Sequence, residues 1–444
     1  MTIFALSTGS VKSGIAIIRI SGLNTKKILS KITKIDLPNP REANLCNIYN
    51  HENNELIDQG MLIWFPGPNS YTGEDLAELH IHGSKAIISA LLSSLSKIED
   101  CRLAEPGEFT KIAFENGKIS LLNVEALSDL ISSETELQRR QAINLLSGKV
   151  SKKYQELRNR LLKILANVEA KIDFPDEDLP EDILKNIKDE THDIIKIINS
   201  ILNDNKVGEK IRDGFKVVIV GPTNAGKSSL LNYLSKREVA IVSEIEGTTR
   251  DTIEVGLNLD GYPVLISDTA GIRETNDPVE KKGVQIATDK AQNADLKIIL
   301  LDAKNPHFKG FFDRLYDENS LLVINKSDLI SGEFDENSID NLEHILISVK
   351  EETNLNTFVE QIKKKLKHRF SVSENILISR ERHRHNLEKC ISHLKIFLEK
   401  NSINDFDKAA EDLRLATRYL GRVVGDVDVE EVLGKIFNDF CIGK

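Results

Sequence analysis

Cysteine is scarce in this sequence, and its four cysteines are widely scattered: Cys46, Cys101, Cys390 and Cys441. No two of them have the C-x-x-C spacing that is typical of zinc ligands. Scattered cysteines of this kind are typical of reduced thiols. We therefore expect a cytoplasmic protein.

Long apolar runs are also missing. No run approaches the ~20 apolar residues that a membrane-spanning helix needs, and residues 1–6 lack the basic and apolar regions of a secretory signal. The sequence has no excess of positive charge either, since its formal net charge is −10 over 444 residues. This composition indicates a globular protein of two or three domains whose surface is not basic throughout. A local basic patch for nucleic acid stays open.

The most informative motif lies at residues 221–228, which read G-P-T-N-A-G-K-S. The apolar run at 215–220 predicts a strand before it, and residues 229–234 predict a helix after it. The N–H groups of such a glycine-bounded loop and of the helix N-terminus bind phosphate oxygens. We expect Lys227 to reach the β- and γ-phosphates and Ser228 to ligate Mg²⁺.

A site for the base is predicted at residues 325–328, N-K-S-D, which close a second apolar run. The Asp328 carboxylate can accept hydrogen bonds from N1–H and the exocyclic amine of guanine, a pair that adenine does not offer. Asn325 has an amide donor for the purine edge, and the stem of Lys326 can cover the ring. A polar turn with an aspartate cap is the alternative, but a preceding phosphate loop favours guanine specificity. A weak fifth motif, S-V-K at 348–350, has little weight.

A third strand ends at the D-T-A-G motif of residues 268–271. We expect Asp268 to hold Mg²⁺ through water and the Gly271 N–H to contact a γ-phosphate. Thr248 and Thr249 fit the loop that closes over Mg²⁺. The order of these motifs resembles the translation-factor-like branch of P-loop GTPases.

The glutamine that orients water in small GTPases is replaced here by Ile272. Isoleucine cannot orient water, so another group must do so if GTP is hydrolysed. Glu280 and Glu274 are candidates. A solvated surface carboxylate is the alternative for both, and we favour it for Glu274.

Helical sequence flanks the GTPase block on both sides. Apolar residues recur at helical intervals over 121–171, and residues 380–400 and 406–440 also read as helices. We therefore predict one helical domain with the GTPase block inserted between its halves. The predicted bounds are 1–118 for an N-terminal α+β domain, 119–212 and 373–444 for the two helical parts, and 213–372 for the GTPase domain.

The predicted N-terminal domain has charged residues on its strands. Arg19 stands in an apolar run, and Glu78 stands on an alternating strand. They are either edge-strand salt-bridge partners or part of a site for a small charged ligand. His80 and His82 share one strand face, but no third metal ligand is evident, so we favour structural or ligand-contacting roles.

From end to end the chain resembles the MnmE (TrmE) family of tRNA modification GTPases. The resemblance is carried by residues 17–22, 71–75, 105–110, 113–118, 224–229 and 247–251 and by the F-C-I-G-K sequence of 440–444. It implies a multidomain α/β plus α+β fold. In that fold a P-loop GTPase domain is inserted into an α-helical domain, behind an N-terminal folate-binding-like α+β domain.

The resemblance implies that GTP hydrolysis accompanies addition of an aminomethyl or carboxymethylaminomethyl group at C5 of the tRNA wobble uridine. It implies an FAD- and NADH-using partner, MnmG, and a homodimer that forms a heterotetramer with this partner. The one-carbon donor would be a tetrahydrofolate derivative, such as 5-formyl- or 5,10-methylene-tetrahydrofolate. By motif position, Arg19, Glu78, Lys118 and Lys444 would contact folate. Cys441 is a candidate redox thiol, although we favour a spectator role.

The resemblance also implies activation by K⁺ and by dimerisation of the GTPase domains. Asn224, Ser243, Ile245 and Thr248 would be the K⁺ ligands, Ile245 through its backbone, and the cation would stabilise charge between the phosphates. Glu280 and Lys227 would be the catalytic residues, with Glu280 orienting the attacking water. Ser228 and Thr249 would ligate Mg²⁺. The GTP-binding residues would be Asn224, Ala225, Gly226, Lys227, Ser228, Ser229, Ser243, Glu244, Ile245, Glu246, Gly247, Thr248, Thr249, Asp268, Thr269, Ala270, Gly271, Asn325, Lys326 and Asp328.

Two segments, residues 8–14 and 81–84, depart from the runs that are usual in the family. Both lie near the expected folate pocket, so the donor contacts stay open. Two other functions also stay open. A ribosome-assembly GTPase usually carries an RNA-binding module such as KH, whose G-x-x-G loop is not found here in a β-rich C-terminal setting. A folate-dependent metabolic enzyme regulated by GTP is the other.

Overall fold

The protein is described from a computed structural model. The structure describes residues 1–9, 11–173, 181–237, 240–241, 254–268, 288–306, 308–332, 334–370, 376–400 and 406–427, with residues 434, 436, 437, 440 and 443. The chain divides into two compact units. The first unit contains Met1–Ile131, Leu145–Ala170 and Asp407–Lys444, and the second contains Ser132–Asn144 and Lys171–Phe406.

The first unit is built on a six-stranded sheet in the order β3-β4-β5-β2-β1-β6. All neighbours are antiparallel except β1 and β6. The strands are β1 (Thr2–Leu6), β2 (Ser13–Ser21), β3 (Ala43–Tyr49), β4 (Leu56–Phe65), β5 (Leu76–Gly83) and β6 (Cys101–Leu103). The alternating residues 78–82 do form a strand, as the sequence predicts.

Each face of this sheet has its own core, because side chains alternate along a strand. On one face Ile18 and Ile20 pack with apolar residues of α1 (Thr25–Thr33) and α2 (Lys85–Ser96). On the other face Ile3 and Ala5 pack against Phe109 of α3 (Glu108–Glu115). Arg19 lies on this second face, one residue out of phase with the buried isoleucines.

The helical part of the first unit draws residues from distant parts of the chain. Leu121 and Val124 of α4 (Leu121–Ile131) form a cluster with Ile436, Phe437 and Phe440. Residues 121–171, which the sequence predicts as helix, form three helices, because α5 (Glu136–Leu146) and α6 (Lys149–Asp173) follow α4 as separate elements. Gly148, with φ +77°, separates α5 from α6.

The second unit contains a seven-stranded sheet in the order β13-β12-β11-β7-β10-β9-β8. The strands are β7 (Phe215–Val220), β8 (Ala240–Ile241), β9 (Glu254–Leu259), β10 (Tyr262–Asp268), β11 (Leu296–Asp302), β12 (Ser320–Asn325) and β13 (His344–Leu346). The five from β13 to β10 are parallel, and β12 is buried along its whole length. Such continuous burial requires packing on both faces, and two separate apolar clusters provide it.

Seven further α-helices lie within the described residues. They are α7 (Glu181–Leu202), α8 (Val207–Asp213), α9 (Lys227–Arg237), α10 (Phe311–Leu315), α11 (Leu355–Arg369), α12 (Glu381–Glu399) and α13 (Phe406–Val424). The last one is shorter than the helix predicted over 406–440, because Gly425 follows it with φ +92°. None of the described helices is both long and apolar enough to cross a bilayer.

Helix α8 leads directly into β7 through Gly214, which has φ +92°. The α8 residue Glu209 is paired with Arg384 of α12, both buried. The Gln141 side chain donates to the carbonyl of Gly208 at 2.9 Å. Glycine is required at 208, since a Cβ there would lie 2.0 Å from the carbonyl oxygen of Ile378. These contacts fix the segment from which the phosphate loop's strand begins.

Candidate functional site

The loop at 221–228 joins β7 to α9, as the sequence predicts. Its conformation depends on Gly226, which has φ +98°. A Cβ on Gly226 would lie 2.3 Å from Nδ2 of Asn325, so no larger residue fits there. The loop therefore lies directly against the end of β12.

Lys227 is buried within this loop. Its ammonium donates to the carbonyls of Gly221 at 3.1 Å and Pro222 at 3.0 Å. Burial lowers the pKa of Lys227, and the negative charge of Asp268 opposes that shift. The cation therefore lies where a phosphate chain cradled by the loop's N–H groups would meet it.

Two of the residues expected near a Mg²⁺ ion, Ser228 and Asp268, lie together where β10 and the phosphate loop end. The Ser228 hydroxyl donates to Oδ2 of Asp268 at 2.7 Å. Within the described part of the chain, Oδ1 of Asp268 is buried and accepts no hydrogen bond. Hydroxyl and carboxylate oxygens are the ligands that Mg²⁺ prefers, so this pair fits the ion.

Asn325 connects three loops. It is buried at the end of β12, where its Nδ2 donates to the carbonyl of Ala225 at 2.8 Å. Its Oδ1 accepts from the backbone N–H of Val349 at 3.1 Å. The amide therefore holds the phosphate loop to segment 348–350, a bracing role that the sequence pattern did not indicate.

Asp328 is positioned by Ser348. The buried Ser348 hydroxyl donates to Oδ1 of Asp328 at 2.6 Å and accepts from the N–H of Glu351 at 3.1 Å. The backbone N–H of Ser327 also donates to the carbonyl of Ile347 at 3.0 Å. Segment 348–350, which is only a weak motif in the sequence, is thus a direct neighbour of the predicted base-reading carboxylate of Asp328.

A second cluster of candidate residues lies on the sheet of the first unit. Arg19 and Glu78 are cross-strand partners on β2 and β5, and Nη2 of Arg19 lies 2.8 Å from Oε1 of Glu78. The guanidinium also lies over the rings of Tyr71 at 5.5 Å and Phe109 at 5.7 Å. The pair does form the predicted salt bridge. Its predicted position on an edge strand is wrong, because β2 and β5 are both interior strands of the sheet.

The C-terminal tail reaches this cluster. The carbonyl of Gly443 accepts from the Ser7 hydroxyl at 2.9 Å and from Nη1 of Arg19 at 3.4 Å. Gly443 has φ +100°, and a Cβ there would lie 2.2 Å from the carbonyl oxygen of Leu6. The tail glycine is therefore fitted to the end of β1.

Lys118, the third described residue of the expected folate set, lies beside Gly73. Its Cε is 3.0 Å from the position that a Cβ on Gly73 would take. Gly73 follows Tyr71, whose ring lies below Arg19. Arg19, Glu78 and the Gly443 carbonyl thus form one cluster. Lys118 lies beside the segment that contains Tyr71, whose ring belongs to this cluster.

Many of the predicted site residues lie outside the described residues. They are Ser243, Glu244, Ile245, Glu246, Gly247, Thr248, Thr249, Thr269, Ala270, Gly271, Glu280 and Lys444, together with Ile272, Glu274 and Cys441.

The second unit has the architecture of a P-loop GTPase domain. The phosphate loop, the pair of Ser228 and Asp268, and the base loop lie at the ends of parallel strands in one sheet. The family description "GTP-binding protein TrmE N-terminus" matches residues 2–118, and "MnmE helical domain" matches residues 121–441. The chain therefore belongs to the MnmE family. The predicted fold class, with a GTPase domain inserted into a helical domain behind an α+β domain, is confirmed.

Curated relatives match the whole chain. A protein named tRNA modification GTPase MnmE from Pelagibacter ubique is 63% identical over 444 residues, with 100% of both chains covered. One of the same name from Rickettsia bellii is 44% identical over 454 residues, again with 100% of both covered. Among solved structures, a variant of Aquifex aeolicus Era has 26% identity and a TM-score of 0.27, and the match covers 42% of this chain and 68% of that one. The prediction that this protein is a GTPase agrees with its family.

Proposed function

We propose that this protein hydrolyses GTP and that its GTPase cycle serves tRNA modification. The observation that carries the proposal is the link between Ser348, Asp328, Asn325 and Ala225. One set of side-chain hydrogen bonds joins the guanine-reading carboxylate to the phosphate loop. Bracing of this kind holds the base loop and the phosphate loop in a fixed relation to each other.

The phosphate end of the site supplies charge. Lys227 would neutralise the β- and γ-phosphate oxygens, while the loop N–H groups hold them. Ser228 and Thr249 would hold Mg²⁺, with Asp268 acting through water. The ion, when bound, neutralises charge that develops on the phosphate oxygens. Glu280 would orient the attacking water.

The cluster in the first unit supports a site for a partly charged, aromatic ligand. It combines a cation, a carboxylate and two aromatic rings at Arg19, Glu78, Tyr71 and Phe109. A tetrahydrofolate derivative has a pterin ring for the carboxylate and glutamate carboxylates for cations such as Arg19 and Lys118. We propose 5-formyl- or 5,10-methylene-tetrahydrofolate as the one-carbon donor, with Lys444 as a further contact.

The reaction that we propose is addition of an aminomethyl or carboxymethylaminomethyl group at C5 of the tRNA wobble uridine. An FAD-dependent MnmG partner would act together with this protein in the cytoplasm. The family relationship supports a role with tRNA, while the partner, the heterotetramer and the homodimer are parts of the proposal.

K⁺ at Asn224, Ser243, Ile245 and Thr248 would activate hydrolysis. Equal GTPase rates in potassium and sodium at fixed Mg²⁺ would exclude a K⁺ role.

A nucleoside digest of tRNA from a deletion strain tests the modification function. Loss of the C5-modified wobble uridine, with restoration by the wild-type gene but not by Lys227→Ala, is the expected result. A ribosome-assembly GTPase or a GTP-regulated folate enzyme would leave the wobble nucleosides unchanged. Unchanged nucleosides in the deletion strain would therefore refute the proposal.

A further inference from the structure

Lys326, the residue whose stem is expected to cover the purine ring, is fixed at both of its ends. Its backbone has φ +65° at the start of the short turn Ser327–Leu329. Its Nζ lies 2.6 Å from Oδ2 of Asp302, the last residue of β11. Asp302 is not among the nucleotide-binding residues that the sequence motifs predict.

The Asp302 carboxylate is itself held in place. Asp302 and Asn325 are register partners at the ends of β11 and β12, and the N–H of Ala303 donates to the carbonyl of Asn325 at 2.9 Å. The other carboxylate oxygen, Oδ1, accepts from the N–H of Lys304 at 3.0 Å. The anchor for Lys326 is thus part of the framework that carries the base loop.

This ion pair is too exposed to add much to stability. Its two side chains are 31% and 25% exposed, and pairs with this much solvent contact contribute little to folding. The pair has a larger effect on the freedom of Lys326, because a free lysine stem samples many rotamers. Ordering such a stem before a ligand arrives removes part of the entropic cost of binding.

We propose that Asp302 is a positioning residue for the guanine nucleotide. It holds the ammonium of Lys326 so that the aliphatic stem is already ordered for the face of the base. This inference rests on the proposed GTP site. It concerns the face of the ring, whereas Asp328 reads its edge, so the two carboxylates have separable effects on affinity and selectivity.

Asp302→Asn is the first test, with GTP and GDP dissociation constants measured by fluorescent-nucleotide titration. We expect both constants to rise by about threefold to tenfold. The preference for GTP over xanthosine triphosphate should stay as in the wild type, since Asp328 is untouched. Lys326→Met keeps the apolar stem but cannot be anchored, so it should lose affinity by the same factor.

The double variant separates positioning from a general structural effect. Because Asp302 acts through Lys326, Asp302→Asn should weaken binding no further in a Lys326→Met background. Asp260→Asn is the control, since Asp260 lies 3.0 Å from Lys363 in the turn between β9 and β10, at the end of β10 opposite Asp268, and Lys363 keeps Glu360 as a partner. It should leave nucleotide affinity unchanged.

Each contrary result has its own meaning. Wild-type or tighter affinity in Asp302→Asn, wild-type affinity in Lys326→Met, or a further loss in the double variant would overturn the positioning role. Asp260→Asn losses equal to those of Asp302→Asn would also overturn it. If the wild-type protein itself binds no GTP, the proposed function fails before the inference is tested.

Discussion

Glu209 and Lys210 are consecutive residues of α8, and their side chains form ion pairs with different parts of the second unit. Oε2 of Glu209 lies 2.8 Å from Nη2 of Arg384 on α12. Nζ of Lys210 lies 2.7 Å from Oδ1 of Asp295, immediately before β11, and 4.3 Å from the centre of the Phe370 ring. A single helical turn therefore ties the GTPase sheet to α12.

Arg384→Met tests the helix side of this connection. The change leaves Glu209 buried without its cation, which costs about 3 kcal/mol or more. The urea midpoint of the second unit should fall accordingly. The double variant Arg384→Met with Glu209→Leu should recover part of the loss, because it removes the buried carboxylate and leaves only the more exposed Asp204 without this cation.

Arg414→Met is the control for this experiment. Arg414 pairs with Glu169 at 3.0 Å, but both side chains are largely exposed, so the urea midpoint should change little. Equal losses in Arg384→Met and Arg414→Met would show that burial does not decide the effect.

Asp328→Asn should move nucleotide preference from GTP toward xanthosine triphosphate. The substitution replaces a carboxylate oxygen acceptor with an amide donor, which matches the changed edge of xanthine. Ser348→Ala removes the hydroxyl that orients Asp328 and should weaken GTP binding by about 1 kcal/mol without reversing the preference. Competition titrations with both nucleotides measure the two effects. Unchanged GTP preference in Asp328→Asn would refute its base-reading role.

Gly443→Ala should detach the C-terminal tail from the first unit. The new Cβ would lie 2.2 Å from the Leu6 carbonyl at a backbone φ of +100°. Hydrogen exchange at β1 and digestion by carboxypeptidase should both increase, while GTP hydrolysis continues. Gly434→Ala is the matched control, since a Cβ at Gly434 meets nothing within 4 Å. Similar exchange in the two variants would contradict a fitted tail.

The described cysteines should be inert in the folded protein. Burial raises the pKa of Cys390 to about 12 and of Cys101 to about 11, and burial also raises the pKa of Cys46. In a Cys441→Ser variant, a disulfide reagent at pH 8 should react with these thiols only after unfolding. Because the pKa of Cys390 is higher in the folded than in the unfolded protein, its contribution to the free energy of unfolding is complete below pH 9.0, the ordinary pKa. This contribution is lost as the pH rises toward about 12. Rapid labelling of the native variant would contradict this burial.

Local patterns predict the GTPase site well, because the phosphate loop needs a fixed order of strand, glycine and helix within a few residues. The strand at 215–220, the helix after Lys227 and the turn at Asp328 all follow such short-range rules. The pair of Ser228 and Asp268 also agrees with the motif prediction, since Asp268 ends β10 and Ser228 begins the helix that follows the neighbouring parallel strand β7.

Long-range partners could not be read in this way. Ser348 binds Asp328 across 20 positions, and Gly443 binds Ser7 across 436 positions. Asp302 looks like an ordinary strand end, and only the β11–β12 register brings it to Lys326. Sheet order likewise decides that Arg19 and Glu78 are interior, and no pattern within either strand contains that information.

The cluster that joins Leu121 and Val124 to Ile436, Phe437 and Phe440 has a consequence for biosynthesis. A ribosome delivers the last three of these side chains long after it has delivered α4. The nucleotide-binding sheet has left the exit tunnel long before then and is free to fold. Until then, the apolar surface of α4 lacks the partners that complete it in the folded unit.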